Sequence, residues 1–273
     1  MNLNEILKKH EIWLRGEEGG ERADLSYTDL SGVDLTGADL RYANLRCVDL
    51  RYANLRYANL SDVDLRKADL SNTDLINAGL RDANLRNTNL RCANLRNVNL
   101  RNTDLRNTDL RCVNLNDADL RGADLRDTRL INANLSGADL RDVNLRDADL
   151  RGTDLIGIKT NIYTIGYNLA CPEKGSFIGY KKANGCIVEL LILEDSKRSS
   201  ATTVKCRCDK AKVLEIKDIE TGEKVKEVYS DYDPKFIYKV GEIVSVDNFD
   251  NNRWNECASG IHFFMNRKNA INY

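Results

Sequence analysis

Proline and long apolar runs are scarce in this sequence. Only two of the 273 residues are proline, and aromatic residues make up 7%. The longest apolar stretch, Cys186–Leu193, is interrupted by Glu189 and is too short to cross a bilayer. The N-terminal stretch MNLNEILKKHEIW has no apolar core of the kind found in secretory signals. We therefore predict a cytoplasmic protein that does not enter a membrane.

An excess of one charge is also missing. The chain holds 41 Lys and Arg residues against 42 Asp and Glu, which gives a net charge of -1. Nothing therefore steers the whole protein toward nucleic acid or an anionic membrane. The eight cysteines are even in number, but in a reducing compartment we expect free thiols. The length favours two domains.

One five-residue repeat dominates the first half of the chain. Leucine occupies every fifth position from Leu25 to Leu155, which makes 27 consecutive repeats. The residue two before each leucine is always Ala, Thr or Val, and Asp or Asn usually precedes the leucine directly. A period of five fits neither a helix nor a plain strand. Each repeat must contain a turn, with the leucine and the small residue inside and the Asp or Asn at the corner.

The run A(D/N)LRx over residues 23–156 resembles the pentapeptide repeat family. The resemblance implies a mainly β fold, a right-handed quadrilateral β-helix in which four repeats form one coil. It also implies that leucines and small residues pack the interior, which leaves no pore. Some members of this family mimic DNA and protect type II topoisomerases through a strongly acidic surface.

Arginines form columns on the outside if residues one coil apart stack. One column contains six successive arginines, among them Arg86, Arg106 and Arg126. These could bind an anionic partner, but residues 23–156 hold 19 basic and 21 acidic side chains. Binding to nucleic acid needs an unbalanced basic patch. The balance favours a solubilising surface and argues against nucleic acid as a partner and against topoisomerase protection.

Four tyrosines form a belt near the N-terminal end of the repeats. Tyr42, Tyr52 and Tyr57 occupy the same outward position on three faces of one coil, and Tyr27 occupies the fourth face. Aromatic residues are good interface anchors, so we predict that the belt binds a partner. Packing against the N-terminal segment is the alternative.

The segment 1–22 is predicted to be a capping helix. Apolar residues recur there at helical spacing, with Asn2 and Glu5 in the positions of a capping box. His10 lies on the apolar face and is predicted to be a packed core histidine. Because open β edges invite association and both ends of the coils are predicted to be covered, a monomer is favoured.

Residues 157–273 are predicted to form a separate α+β domain of mostly antiparallel strands. Six strands, a hairpin turn at IETGEK and a short terminal helix in MNRKNAINY are predicted. The strands are Phe177–Lys181, Cys186–Leu193, Lys212–Ile219, Lys224–Tyr229, Glu242–Val246 and Ile261–Met265. The stretches LEDSKRSSATTVKCRCDKAKVLEI and YKVGEIVSVDNFDNNRWNECASGIHFF resemble an uncharacterised companion domain that follows pentapeptide repeats in some phage and bacterial proteins.

Two chemistries were considered for this domain. Cys257 and His262 could act as nucleophile and base, but no local signature of a known cysteine enzyme surrounds them. Cys206 and Cys208 could join them as zinc ligands, but C-x-C is not the usual spacing of a zinc knuckle. We predict no catalytic residue, metal or cofactor.

The loop DNFDNNRWNECASG, rich in Asn, Asp and Gly, is typical of a contact surface. Arg198, Trp254 and His262 are the candidates for a small polar recognition site.

The sequence favours a non-catalytic scaffold or protein-interaction protein. In this hypothesis a rigid β-helical stalk carries a C-terminal capping and recognition domain, and the partner is a protein. A small enzyme using Cys257 and His262 is the alternative, and a DNA mimic that binds topoisomerase is less favoured. A polar cleft around Cys257 and His262 would favour an enzyme, whereas burial of both side chains would favour a scaffold.

Overall fold

The structure, a computed structural model, describes residues 2–255 and 257–273. The chain forms two compact units, Met1–Ile165 and Gly166–Tyr273. No helix in the described part of the chain is long and apolar enough to cross a membrane.

Stacked coils of four repeats build the first unit. Parallel β-bridges join residues one coil apart, from Asp24 with Asn44 to Asp139 with Lys159. The backbone N–H of each leucine from Leu25 to Leu145 donates to a carbonyl of the next coil, as Leu50 does to Asp69 at 2.8 Å. The leucines from Leu25 to Leu150 are buried between these backbone ladders. This burial of one large and one small side chain per repeat confirms the predicted interior.

The turn of each repeat lies two residues after the leucine. Every such position from Tyr27 to Gly157 has a positive φ. The leucine carbonyl accepts the N–H three residues on, as between Leu40 and Ala43 at 3.1 Å, and a positive φ at the third residue of such a turn suits Gly and Asn. The Asp or Asn before the leucine instead forms the β-bridge between coils. Our prediction that this residue lies at the corner, with an unusual backbone conformation, was therefore wrong. Its side chain caps the turn, as when Asp29 accepts the Ser31 N–H at 2.9 Å.

Buried threonines are satisfied by the backbone of the preceding coil. The Thr73 hydroxyl donates to the Leu50 carbonyl at 2.7 Å, and Thr88 donates to Leu65 at 3.0 Å. Because a buried hydroxyl is costly without a hydrogen-bond partner, this contact explains how threonine replaces alanine inside the coils.

Helix α1 (Leu3–Leu14) packs on the first coil. The Asn2 side chain accepts the Glu5 N–H, as predicted for the start of the helix. His10 is fully buried, and its Nδ1 accepts the N–H of Ala23 at 3.1 Å. The prediction that His10 is a core histidine is therefore confirmed. Its side chain provides the hydrogen-bond acceptor for a backbone N–H at the edge of the first coil.

The coils continue beyond the last leucine of the repeat. Lys159 forms a bridge with Asp139, and Ile165 forms a bridge with Asn144. The Thr164 hydroxyl donates to the Leu140 carbonyl at 2.9 Å, so an inward threonine continues the interior where the leucine pattern has ended.

The second unit contains two antiparallel sheets and a short helix. The elements are β1 (Phe177–Ala183), β2 (Cys186–Ile192), β3 (Arg198–Ser200), β4 (Lys205–Cys208), β5 (Lys210–Asp218), β6 (Glu227–Tyr229), β7 (Ile237–Lys239), β8 (Ile243–Ser245), β9 (Ile261–Phe264) and α2 (Arg267–Asn272). One sheet has seven strands in the order β3-β4-β9-β1-β2-β5-β8, and β6 pairs with β7 in the other. The predicted antiparallel α+β character matches this topology. The strands β3, β4 and β7 were not predicted.

A buried apolar cluster fills one face of the larger sheet. Val188, Leu190, Val213 and Phe263 belong to it. Gly179 on β1 lies directly against the Phe263 ring, because a Cβ built on this glycine would approach the Phe263 Cδ2 to 2.6 Å. The residue must be glycine for β1 and β9 to pack at this distance.

Candidate functional site: outer columns and a cavity

Nine of the 18 arginines in residues 23–156 pair with an aspartate of their own repeat. In the sequence Asp-Leu-Arg, the guanidinium folds back onto the carboxylate two residues earlier. Arg121 Nε and Nη2 donate to Asp119 at 2.8 and 2.6 Å, and this hydrogen bonding lowers the pKa of the Asp119 carboxyl. Such half-exposed pairs contribute little stability, but they neutralise the surface locally.

The predicted arginine column is mixed in this respect. Arg106 and Arg126 pair with Asp104 and Asp124 at 2.5 and 2.6 Å. Arg86 follows Asn84 instead, and its Nε has no hydrogen-bond partner among the described residues. The column therefore combines arginines that are paired with aspartate and an arginine, Arg86, that is not held in this way.

The tyrosines of the belt have exposed side chains, and their backbone lies in the left-handed region. Tyr27, Tyr52 and Tyr57 are 76%, 68% and 57% exposed, and all have φ near 60°. Tyr42 is half-exposed and contacts the edge of Trp13 with ring centroids 6.3 Å apart. Packing against the N-terminal helix thus applies to Tyr42, while the other rings face solvent.

Arg198 and Trp254 support loops of the second unit. The Arg198 guanidinium donates to the carbonyls of Leu193, Glu194 and Gly175, each at 2.8 Å. Trp254 lies against the guanidinium of Arg253, which is 4.4 Å from the indole centroid.

His262 lies elsewhere, on β9, where it lines a cavity of about 880 Å³. Of the three predicted recognition residues, only His262 lies in this cavity.

The cavity lies within the second unit and is lined by segments far apart in sequence. Lys181, Asp231, Tyr238, Cys257 and Tyr273 all contribute side chains. Cys257 is exposed and shares the cavity with His262. The two residues of the alternative nucleophile–base hypothesis thus line one cleft. Sequence patterns do not indicate Lys181 or Tyr238, because neither lies in a recognisable motif.

The remaining candidate zinc ligands lie in the core. Cys206 and Cys208 are buried on β4, and burial helps to raise the pKa of both thiols. For Cys206 the larger cause is the hydrogen bond with the Cys171 thiol. Within residues 2–255 and 257–273, no group of three or more His, Cys, Asp or Glu side chains could hold a metal ion.

The stacked coils of five-residue repeats are typical of one class of repeat protein, and comparison with known protein families identifies that class. Residues 21–159, about half of the chain, match the sequence profile of the pentapeptide repeats. The chain therefore belongs to the pentapeptide repeat family, as the A(D/N)LRx resemblance indicated. Residues 167–270 match a separate family of unknown function, DUF5758, which agrees with the predicted uncharacterised companion domain.

An uncharacterised viral protein is among the relatives. Protein L223 of Acanthamoeba polyphaga mimivirus is 40% identical over 72 residues, which cover 25% of this chain and 46% of the viral protein. The matched region thus spans about half the length of that relative.

Solved structures of other pentapeptide repeat proteins are similar to the chain. HetL of the cyanobacterium Nostoc, involved in regulating heterocyst differentiation, is 31% identical and covers 58% of this chain and 92% of its own, with a TM-score of 0.24. A protein of the Arabidopsis thaliana thylakoid lumen is 30% identical, covers 44% and 70%, and has a TM-score of 0.26. QnrB1, a plasmid-mediated fluoroquinolone resistance protein, is 25% identical, covers 52% and 85%, and has a TM-score of 0.23.

Proposed function

We propose that this protein is a non-catalytic, cytoplasmic scaffold that binds a protein partner. Residues 23–156 act as a rigid stalk with the right-handed quadrilateral β-helix of the family, capped by residues 1–22. Residues 157–273 carry a recognition surface. The division of labour among these three segments is part of the proposal.

The exposed tyrosine belt is the observation that carries the proposal. A bulky side chain in the left-handed region costs roughly 1–2 kcal/mol, and Tyr27, Tyr52 and Tyr57 regain little of it through burial because they remain more than half exposed. Most later repeats place Asn, Asp or Gly at the same turn position, as at Asn72 and Asn97, and the exceptions are Lys67, Cys92 and Cys112. Backbone strain that is not offset by better packing of the side chain is typical of functional sites. Tyrosine is also a favoured interface anchor.

The arginine columns support a protein partner rather than nucleic acid. Arg106, Arg111 and Arg121 are each paired with an aspartate of the same repeat. A surface neutralised in this way offers neither the continuous basic patch of a nucleic-acid binder nor the acidic face of a DNA mimic. In this proposal Arg86, Arg106 and Arg126 act as rim contacts, and Tyr42, Tyr52 and Tyr57 act as anchors.

Site-specific photocrosslinking in cells that express the full chain tests the scaffold. Tyr52 or Tyr57 is replaced by p-benzoylphenylalanine, and the same group at Asn97 serves as the control, since Asn97 occupies the same turn position on a later coil. We expect protein-sized adducts from positions 52 and 57 and none from position 97. Equal adducts at all three positions, or none at 52 and 57, would contradict the belt as an interface.

A small enzyme remains the second candidate because Cys257 and His262 line the same cavity. A thiol activated by His262 would react with iodoacetamide at pH 7 faster than the exposed Cys92 and Cys112. The rate would also fall in the His262→Gln variant. If Cys257 reacts no faster than these two thiols, the enzyme hypothesis is wrong.

A further inference from the structure

The cavity in Gly166–Tyr273 has the dimensions of a small-molecule site. Its volume of about 880 Å³ falls in the range of roughly 300–1,000 Å³ that ligand pockets occupy. Part of its wall is aromatic: Phe236 contacts Tyr238, and Phe264 contacts Tyr273, each pair with ring centroids 5.2 Å apart. Such walls favour a ligand with a flat apolar body.

Both aspartates described in the cavity wall are engaged in turns of the chain. Asp231 Oδ1 accepts the N–H of Asn184 at 2.6 Å, in the turn between β1 and β2. Asp233 Oδ1 accepts the N–H of Lys235 at 2.9 Å. A backbone N–H thus holds each of these carboxylates in place. Lys181 is then the charged side chain of the wall to consider as a contact for a ligand.

Lys181 is a cation of the cavity wall for which no hydrogen-bond acceptor is found among the described residues. It is half-buried, and its Nζ lies 6.0 Å from the centroid of the Tyr238 ring. In the described part of the chain, no hydrogen bond or ion pair of its ammonium is found, whereas the neighbouring Lys182 donates to the Ile271 carbonyl at 3.2 Å. Burial lowers the pKa of Lys181, Asp231 opposes this effect and Lys205 adds to it.

A second cation lies near the same aromatic wall. The Lys205 ammonium donates to the Tyr273 hydroxyl at 3.1 Å and lies 5.1 Å from that ring centroid. Two lysines close enough to influence each other's protonation are mutually repulsive. An anion bound beside them would relieve the repulsion and supply the acceptor that Lys181 lacks.

From this arrangement we propose that the cavity binds a small organic anion with a planar apolar body, and that Lys181 is its principal cationic contact. The anionic group meets the Lys181 ammonium, and the planar body lies against Tyr238, Phe236 and Phe264. The ligand carries a carboxylate or a phosphate, which have the same hydrogen-bonding role here. This site is independent of the tyrosine belt and of the scaffold function.

Calorimetric titration of the full chain with four probes tests the proposal. The probes are 2-naphthoate, 2-naphthyl phosphate, the neutral isostere 2-naphthamide, and acetate, which has the charge without the ring. We expect at least one anionic naphthalene to bind about ten-fold or more tighter than 2-naphthamide, which is the scale of one charge-assisted hydrogen bond, and acetate to bind far more weakly. The tighter of the two anions identifies the acid group.

Variants assign the effect to Lys181. Lys181→Gln should abolish the preference for the anion, Lys181→Arg should retain most of it, and Lys226→Gln should leave it unchanged because Lys226 is exposed and does not line the cavity. Because Lys181→Gln could unfold, the wild-type chain is also acetylated with acetic anhydride with and without 2-naphthoate, and Lys181 is followed by mass spectrometry. Equal binding of naphthoate and naphthamide, an unchanged preference in Lys181→Gln, or no protection of Lys181 would overturn the proposal.

Discussion

At the residue scale, the backbone conformation at one position of each repeat determines which amino acids fit there. The residue two after each leucine is left-handed throughout the coils, and Asn, Asp and Gly occupy most of these positions. These residue types visit the left-handed region at low cost. Tyr52 and Tyr57 break the rule without becoming buried, so they reduce the stability of the coil on which they stand.

The substitution Tyr52→Asn should therefore not destabilise the protein. Asparagine suits the left-handed turn better than tyrosine, and the lost ring is 68% exposed. We expect the free energy of unfolding to stay the same or to rise by up to about 1 kcal/mol. Urea denaturation of the full chain measures it.

Tyr52→Ala is the matched control for this prediction. Alanine also removes the ring, but it lacks the short polar side chain with which asparagine hydrogen-bonds locally in the left-handed region, so it should bring no comparable gain. A loss of more than about 1 kcal/mol in Tyr52→Asn would show that the ring supports the fold, and would remove the observation on which the belt rests.

Gly179→Ala tests the close contact between β1 and β9. The added methyl would lie 2.6 Å from the Phe263 Cδ2 in a buried cluster. Overpacking of this kind costs about 1–3 kcal/mol, and we expect a loss in that range by thermal or urea denaturation. The double variant Gly179→Ala/Phe263→Leu should recover part of the loss. If Gly179→Ala is as stable as the wild type, the strands are farther apart than described.

At the element scale, one histidine supplies a buried hydrogen bond between helix α1 and the first coil. His10 Nδ1 accepts the Ala23 N–H only while that nitrogen is unprotonated. Burial lowers the pKa of His10, with Asp39 acting in the opposite direction. In the unfolded chain His10 thus binds a proton near the usual histidine pKa. In the folded chain it binds this proton only at a lower pH.

Stability should therefore fall as the pH decreases below about 6.5. Above that value His10 is neutral in both states and contributes no pH dependence. The carboxylates with shifted pKa values in the coils titrate below their ordinary range, as Asp119 and Asp139 do, so they do not interfere at pH 5–7.

Thermal unfolding of the wild type and of His10→Gln between pH 8 and pH 5 measures this effect. We expect the difference between the two proteins to shrink as the pH falls, since glutamine does not titrate. A difference that is constant with pH would contradict the role of the neutral imidazole.

Most coils and strands of the fold could be predicted from the sequence, but one buried strand could not. The leucine period predicted the coils, and short segments rich in apolar residues predicted strands such as β2 and β5. The KCRC strand β4 was missed because its lysine and arginine are buried in spite of their charge. Arg207 donates to the carbonyls of Asp250 and Asn252, both at 2.6 Å, so its hydrogen bonds are made within the fold.

The cavity was not predictable from sequence patterns. Cys257 and His262 are near each other in sequence and were recognised, but Lys181 and Tyr238 reach the cavity from β1 and β7. Only the antiparallel arrangement of the sheets brings these segments together. No local motif encodes a contact between residues so far apart.

At the scale of the whole molecule, charge and capping govern association. The net charge is -1, and local Asp–Arg pairing, as between Asp109 and Arg111, leaves little electrostatic drive toward an anionic or a cationic partner. Association through the coils would then depend on apolar contacts and on open backbone edges. Helix α1 removes one such edge, because His10 accepts the Ala23 N–H.

We expect the full chain to be a monomer, with a mass of 30.9 kDa by light scattering coupled to size-exclusion chromatography. Removal of residues 2–22 exposes the backbone donors of the first coil and should cause concentration-dependent association. His10→Gln should remain mostly monomeric, because α1 still covers the edge through its other contacts. A full-length dimer, or a truncated chain that stays monomeric at high concentration, would show that α1 does not protect the coils. If the full chain is a dimer, the belt of Tyr27, Tyr42, Tyr52 and Tyr57 would be the first surface to examine as its interface, since it lies on the coil next to α1.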